Sequence, residues 1–232
     1  MSKVVIITAA GKGMGAGCAE SFSKAGYKVV LMSRSNDALE LAAKLGGIGM
    51  QGSVLEEADL KSLVELAIET YGRIDVVVNN TGHPPKGKLL ELSNEDWQHG
   101  GDLVLMNVIK MAKIVTPIMK AQGGGTIINI STFAAFEPSL SFPISSVMRT
   151  ALASYSKLYA QEFGPDNIRM NNILPGYIES YPVTEEIKNQ IPLARVGKVS
   201  EIGETAVFLA SEGAAYITGE NIKVDGGITK NI

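Results

Sequence analysis

The chain has 232 residues, 21 Lys and Arg against 24 Asp and Glu, and a net charge of −3, long enough for one well-filled domain. Its charges are interspersed, with no basic stripe or like-charge block, so neither nucleic acid nor an anionic membrane surface is favoured as a partner. Its single cysteine, Cys18, excludes an internal disulfide and fits a reducing compartment.

The expectation is one domain over residues 1–232, cytoplasmic, with a small-molecule partner and no metal. The chain start carries no cationic leader, and no apolar run approaches membrane-spanning length. Hydrophobic residues at 45%, with a positive mean hydropathy, point to a homo-oligomer, dimer or tetramer, that buries apolar surface between subunits.

Val4–Ile7 is a β-branched apolar run suited to a strand buried on both faces. The turn after it carries Gly11, Gly13 and Gly15 and opens a helix that ends near Gly26. Glycines there let the backbone approach a pyrophosphate at the helix's positive end, which predicts a dinucleotide site. Lys28–Met32 reads as a second strand, Asp37–Leu45 as an amphipathic helix and Ile48–Gln51 as a weak third strand. Leu60–Tyr71 has apolar residues at helical spacing, and Ile74–Val78 is again a buried strand.

Ser93, with Glu95 and Asp96, starts a long apolar helix over Trp97–Ala121, which Gly123–Gly125 ends. Then follow a strand at Thr126–Ile130, a helix at Ser146–Phe163, a strand at Ile168–Ile173, a helix at Glu201–Ala210 and a last strand at Asn221–Val224. This alternation predicts an α/β, Rossmann-like doubly wound parallel sheet of about seven strands with helices on both faces and ligands at the strands' carboxyl ends. Pro175–Pro192 holds three prolines just past a strand end, the place of a substrate lid or of an ordinary surface loop.

With the glycine turn, Asn79-Asn80-Thr81-Gly82, Asn129-Ile130-Ser131-Thr132, Pro175-Gly176 and Asp225-Gly226-Gly227 in order, the chain resembles the short-chain dehydrogenase/reductase family over essentially its whole length. The resemblance implies a tetramer that moves a hydride between NAD(P) and a carbonyl or alcohol. It places Gly11, Lys12, Gly13, Met14, Gly15, Asn80, Gly82, Arg149, Pro175, Gly176 and Ile178 against the cofactor. Ala9 stands where the family turn has its first glycine, an added methyl that tightens the turn.

Where NAD-using relatives place an acidic residue after the second strand, this chain has Ser33, followed by Arg34. Without a carboxylate at that position, Arg34 and Lys12 suit a 2′-phosphate, so NADP(H) is favoured over NAD(H). Ser53 stands where relatives often have an aspartate near the adenine.

The family's proton relay of Asn, Ser, Tyr and Lys falls on Val104, Thr132, Ser145 and Arg149. Only serine to threonine keeps the chemistry. A seryl hydroxyl lacks the reach and acidity of a phenol, a guanidinium passes no proton at neutral pH, and valine offers no hydrogen bond. Tyr155 lies ten residues past Ser145, about 15 Å along the helix, and does not replace the phenol. His83 and Tyr177 are the two substitute donors the sequence offers, each with packing or solvent exposure as its plainer role. Two readings stand: an NADP(H)-dependent oxidoreductase with a non-standard donor, or a nucleotide-binding or scaffold protein whose chemistry has lapsed. A third reading, isomerisation or hydration in the same pocket, is less favoured, and fold analogy alone does not separate the three.

Overall fold

The computed structural model describes residues 2–231. Seven parallel strands form one sheet in the order β3-β2-β1-β4-β5-β6-β7. They are β1 (Val4–Ile7), β2 (Lys28–Ser33), β3 (Ile48–Gln51), β4 (Val76–Asn79), β5 (Gly125–Ile130), β6 (Ile168–Pro175) and β7 (Asn221–Val224). The crossovers carry α1 (Gly13–Lys24), α2 (Asp37–Lys44), α3 (Glu57–Tyr71), α4 (Asn94–Gly101), α5 (Asn107–Ala121), α6 (Pro143–Phe163), α7 (Glu185–Lys188) and α8 (Val199–Leu209). The strand order reverses between β1 and β4, so a crevice opens at their carboxyl ends.

Every residue of β1 is buried because the sheet is covered twice. Val5 and Ile7 join one apolar cluster with Cys18, Phe22, Ile202 and Leu209, while Val4 and Ile6 join the other with Leu63, Met111 and Met119. α1 and α8 touch backbone to backbone: a Cβ on Gly203 would stand 2.4 Å from the Gly17 carbonyl oxygen. No helix among the described residues is long and apolar enough to cross a membrane.

The long helix expected over Trp97–Ala121 is broken. α4 ends at Gly101, one π turn spans Asp102–Met106, and α5 resumes at Asn107. Gly100 and Gly101 weaken the helix here, and the buried Asn107 amide donates to the Leu103 carbonyl, drawing it out of the regular ladder. A side chain at position 100 would strike Ile144 of α6, so the glycine is needed for packing. The start is as expected, since Ser93 and Asp96 form a reciprocal capping box.

α6 begins three residues earlier than the sequence indicated, with Pro143 in its first turn. Ser145 and Arg149 therefore sit one turn apart on one helix face.

A row of asparagines crosses four strands in matched register. Asn79 Nδ2 donates to Asn129 Oδ1 at 2.9 Å, Asn129 Nδ2 to Asn172 Oδ1 at 2.9 Å, and Asn172 Nδ2 to Asn221 Oδ1 at 2.8 Å. Ser156 of α6 joins the row through Asn172 Oδ1 at 3.0 Å. The chain of amides satisfies buried polar groups that would otherwise cost about 1–3 kcal/mol each.

Candidate active site

The turn after β1 is tied to the turn after β4. Thr8 Oγ1 donates to the Asn80 carbonyl at 2.7 Å and accepts from the Asn80 N–H at 3.0 Å, while Asn80 Nδ2 donates to the Ala9 carbonyl at 3.1 Å. Ala9 does more than tighten the turn, because its φ of +46° is left-handed, a conformation costing a non-glycine residue roughly 1–2 kcal/mol. Gly15, in the first turn of α1, has no room for a side chain: a Cβ there would lie 2.4 Å from the Ala9 carbonyl oxygen and 2.8 Å from Asn80 Nδ2. Gly13 begins α1, Met14 leans on the core, Lys12 is exposed, and Gly82 faces open space. The first turn of α1 thus presents its N–H groups to the crevice, a cradle shaped for phosphate.

At the end of β2 the Ser33 hydroxyl is occupied locally, donating to the Ser35 carbonyl at 2.8 Å and accepting from the Ala38 N–H at 3.2 Å. Arg34 is exposed and its carbonyl accepts from Gln51 Nε2 at 2.7 Å. Among the described residues neither Lys12 nor Arg34 forms an ion pair. A carboxylate that the sequence did not flag stands close by: a Cβ on Gly11 would lie 2.7 Å from Asp37 Cβ, and Asp37 Oδ2 accepts from Ser35 Oγ at 2.9 Å. Ser53 is likewise engaged, its hydroxyl accepting from the Leu55 N–H at 3.3 Å.

Val104 is buried in the π turn. Thr132 caps the short 3-10 turn Phe133–Ala135, its hydroxyl accepting from the Ala134 N–H at 3.4 Å. Ser145 Oγ accepts from Arg149 Nε at 3.3 Å, and Arg149 Nη1 donates to the Ile130 carbonyl at 2.5 Å. Arg149 is only 5% exposed, and among the described residues no carboxylate pairs with it. Burial pulls its pKa down to about 10, which leaves it cationic at neutral pH.

His83 sets its ring edge-on against Tyr181, with centroids 4.7 Å apart and planes at 72°. Burial, then the charges of Arg149 and Lys86, hold the His83 imidazole below its usual pKa. Lys86 lies over the Phe142 ring at 4.7 Å. Tyr177 turns elsewhere. Its ring leans on Phe133 with centroids 5.8 Å apart, and it lines a cavity of about 530 Å³ beside β7 with Pro192, Leu193 and Asp225. Tyr155 packs near Tyr159 at the back of α6, with ring centroids 6.2 Å apart.

Pro175 ends β6, the Gly176 N–H donates to the Val224 carbonyl at 3.0 Å, and the buried Ile178 bridges to Gly197. Hydrogen bonds of 2.8 and 2.9 Å join Gly197 to Tyr177 and Glu179, so the loop between them is closed at its base like a lid on a stem. Over the crevice that loop sets Ser180 beside Gly13, 3.5 Å from where a Cβ would be. Sequence reading missed two groups here. Thr81 Oγ1 is buried without a partner among the described residues, and Tyr181 of the loop after β6 meets the His83 ring across the crevice.

Comparison with known proteins agrees over the whole chain. The family profile described as Enoyl-(Acyl carrier protein) reductase matches residues 8–229. The chain is 31% identical to a 3-oxoacyl-(acyl-carrier-protein) reductase of Thermotoga maritima, over 97% of each protein. It is 33% identical to the Homo sapiens dehydrogenase/reductase SDR family member 4, over 97% of this chain and 87% of that protein. Among solved structures, L-sorbose reductase of Gluconobacter frateurii in complex with NADPH and L-sorbose superposes with a TM-score of 0.91 at 31% identity, covering 100% of this chain and 98% of that one. A 7α-hydroxysteroid dehydrogenase with NADH and a 7-oxo bile acid gives 0.89 at 29% identity, covering 97% and 93%.

Proposed function

The chain belongs to the short-chain dehydrogenase/reductase family, and from that premise we propose that it is an NADP(H)-dependent oxidoreductase of a small carbonyl or alcohol whose proton donor is not the family tyrosine. The observation that carries this reading is the complete phosphate cradle, stapled from Thr8 to Asn80 and closed to side chains at Gly15. NADPH in the L-sorbose reductase structure and NADH in the hydroxysteroid dehydrogenase support a nicotinamide cofactor.

The residues present fit such a cofactor. The first turn of α1 would receive the pyrophosphate, Arg34 and Lys12 are exposed cations without an ion-pair partner among the described residues, and Thr81 Oγ1 is a hydroxyl without a partner among them in the turn after β4. Arg149 has N–H groups to spare beyond its bonds to Ser145 and Ile130, enough to hold a ribose hydroxyl. When bound, the nicotinamide supplies the hydride. The chain's own part is to bind, to orient the substrate oxygen with Thr132, and to deliver a proton. The substrate site is the space between Thr132, Ser145 and the loop after β6.

The runner-up, a nucleotide-binding protein without turnover, draws on the engagement of Ser145 by Arg149 and on Val104. Exposed Val147, Leu158, Phe208 and Tyr216 support burial of apolar surface between subunits. The deciding experiment is a fluorescence titration with NADPH and NADH, followed by single-turnover mixing with a carbonyl panel. NADPH binding tighter than NADH together with cofactor oxidation is expected. Binding without oxidation across the panel selects the runner-up, and no binding at millimolar cofactor rejects both.

A further inference from the structure

We propose that Tyr181, carried over the crevice by the loop after β6, is the proton donor, working above the buried Arg149 guanidinium with His83 holding its ring. This rests on the oxidoreductase reading and names the residue that completes it.

The argument begins with an empty place. Ser145 is a short side chain on the helix face where a phenol would otherwise stand, and its hydroxyl is turned to Arg149 Nε. One turn on, Arg149 keeps a full charge with no carboxylate paired to it among the described residues, a costly arrangement unless the charge acts on something in the crevice. Two groups from opposite sides of the crevice touch each other, His83 from the turn after β4 and Tyr181 from the loop after β6, and the residues next to His83 and Ser145, Pro84 and Ile144, both lie against Gly100. The loop is placed there by two contacts: Ser180 lies 3.5 Å from where a Cβ on Gly13 would be, and the stem is closed at Ile178–Gly197.

Chemistry separates the two. With its pKa depressed by burial and by two cations, His83 is neutral at pH 7 and has no ready proton to give. Burial raises the Tyr181 phenol while Arg149 lowers it, with a net rise, so it enters the reaction protonated. When bound, a reduced nicotinamide would supply the hydride that forms the new C–H bond at the carbonyl carbon. As the C=O π pair moves onto oxygen, the Tyr181 Oη–H bond breaks and a new O–H bond forms on the substrate. The Arg149 charge favours the phenolate, which regains its proton from water, for which its 47% exposure gives a route. Arg149 is then a positioning residue that steadies the phenolate.

The test combines a cofactor-free readout with a kinetic one. Ultraviolet absorbance of tyrosinate is followed against pH in wild type and in Tyr181→Phe, and the difference isolates the Tyr181 midpoint. Arg149→Met raises that midpoint by roughly one unit, whereas Arg149→Lys brings it back toward wild type. In single turnover with NADPH and para-nitrobenzaldehyde, or the first carbonyl of the panel that reacts, Tyr181→Phe lowers the rate about 100-fold or more with NADPH affinity unchanged.

A midpoint that ignores Arg149→Met overturns the pairing, and turnover that survives Tyr181→Phe within about threefold overturns the donor. Should Arg149→Met not fold by circular dichroism, the Tyr181→Phe rate decides alone. If wild type reacts with no carbonyl, the oxidoreductase reading fails and takes the donor with it. Turnover lost only in Tyr181→Phe supports both.

Discussion

Two glycines that the sequence reading placed against the cofactor are set apart by the structure, and they make a controlled pair. A Cβ on Gly15 would meet the Ala9 carbonyl oxygen at 2.4 Å, where ordinary contact starts at 3.4 Å, so something must yield by 1.0 Å. Neither partner gives cheaply, because Ala9 is held by Asn80 and Gly15 lies in a helix turn. Overpacking of this kind costs about 1–3 kcal/mol, or roughly 2–12 °C in Tm for a chain of this size. Lifting the first turn of α1 also forfeits at least one charge-assisted bond to phosphate, about 1.5–3 kcal/mol and hence on the order of a 10- to 100-fold loss of affinity. A Cβ on Gly82 would meet no other group among the described residues within 4 Å, and its φ is not positive, so Gly82→Ala leaves Tm alone. The assay is NADPH fluorescence titration beside a thermal melt for Gly15→Ala, Gly82→Ala and wild type. If Gly15→Ala binds within about twofold of wild type, or Gly82→Ala lowers Tm as much as Gly15→Ala does, the steric account of the cradle is wrong.

Further outcomes can be measured on the same protein. Arg34→Ala weakens NADPH about tenfold and leaves NADH nearly unchanged, while Asp37→Asn tightens NADPH by removing a negative charge near the same end; isothermal titration reads both. Asn129→Leu strands the Asn79 amide and breaks the asparagine row, lowering stability by about 2–4 kcal/mol in urea unfolding. Glu201, bound by Arg195 and by the Lys198 N–H, has its pKa drawn down to about 2. A depressed carboxylate stabilises the fold above its unfolded value and stops doing so as pH falls. Stability is therefore lost between pH 4.5 and about 2, and Glu201→Gln flattens that stretch of the profile of urea midpoint against pH. Cys18 is fully buried with its thiol pushed up to about 12, so it resists a disulfide reagent until the protein unfolds.

Much of this was legible from residues that act on their neighbours in the chain. Val4–Ile7, the glycine turn, the Ser93 cap and the paired spacing of Ser145 and Arg149 are local patterns, and strand, turn and helix physics reads them directly. The parallel sheet of seven strands with helices on both faces followed from alternation, whereas the order of its strands came from the structure. What escaped was decided across long separations. The break at Asp102–Met106 depends on an amide reaching back to Leu103 and on Ile144 crowding Gly100. Asp37 looked like the start of a helix, and only folding brings it beside Gly11. Asn129 and Asn172 read as polar residues inside strands, and only the register reveals that each satisfies the next. Tyr181 carried no signal beyond being an aromatic in a proline-rich loop, since its meeting with His83 spans the two sides of the crevice.

The backbone contact between α1 and α8 has a mechanical side. The Val199 carbonyl, where the lid's return stem becomes α8, sits 2.7 Å from the point a Gly17 side chain would occupy, with no soft atoms between to absorb a shift. The helix whose first turn is the proposed phosphate cradle is therefore in backbone contact with the segment that carries the loop after β6, so a bulkier residue at position 17 disturbs both.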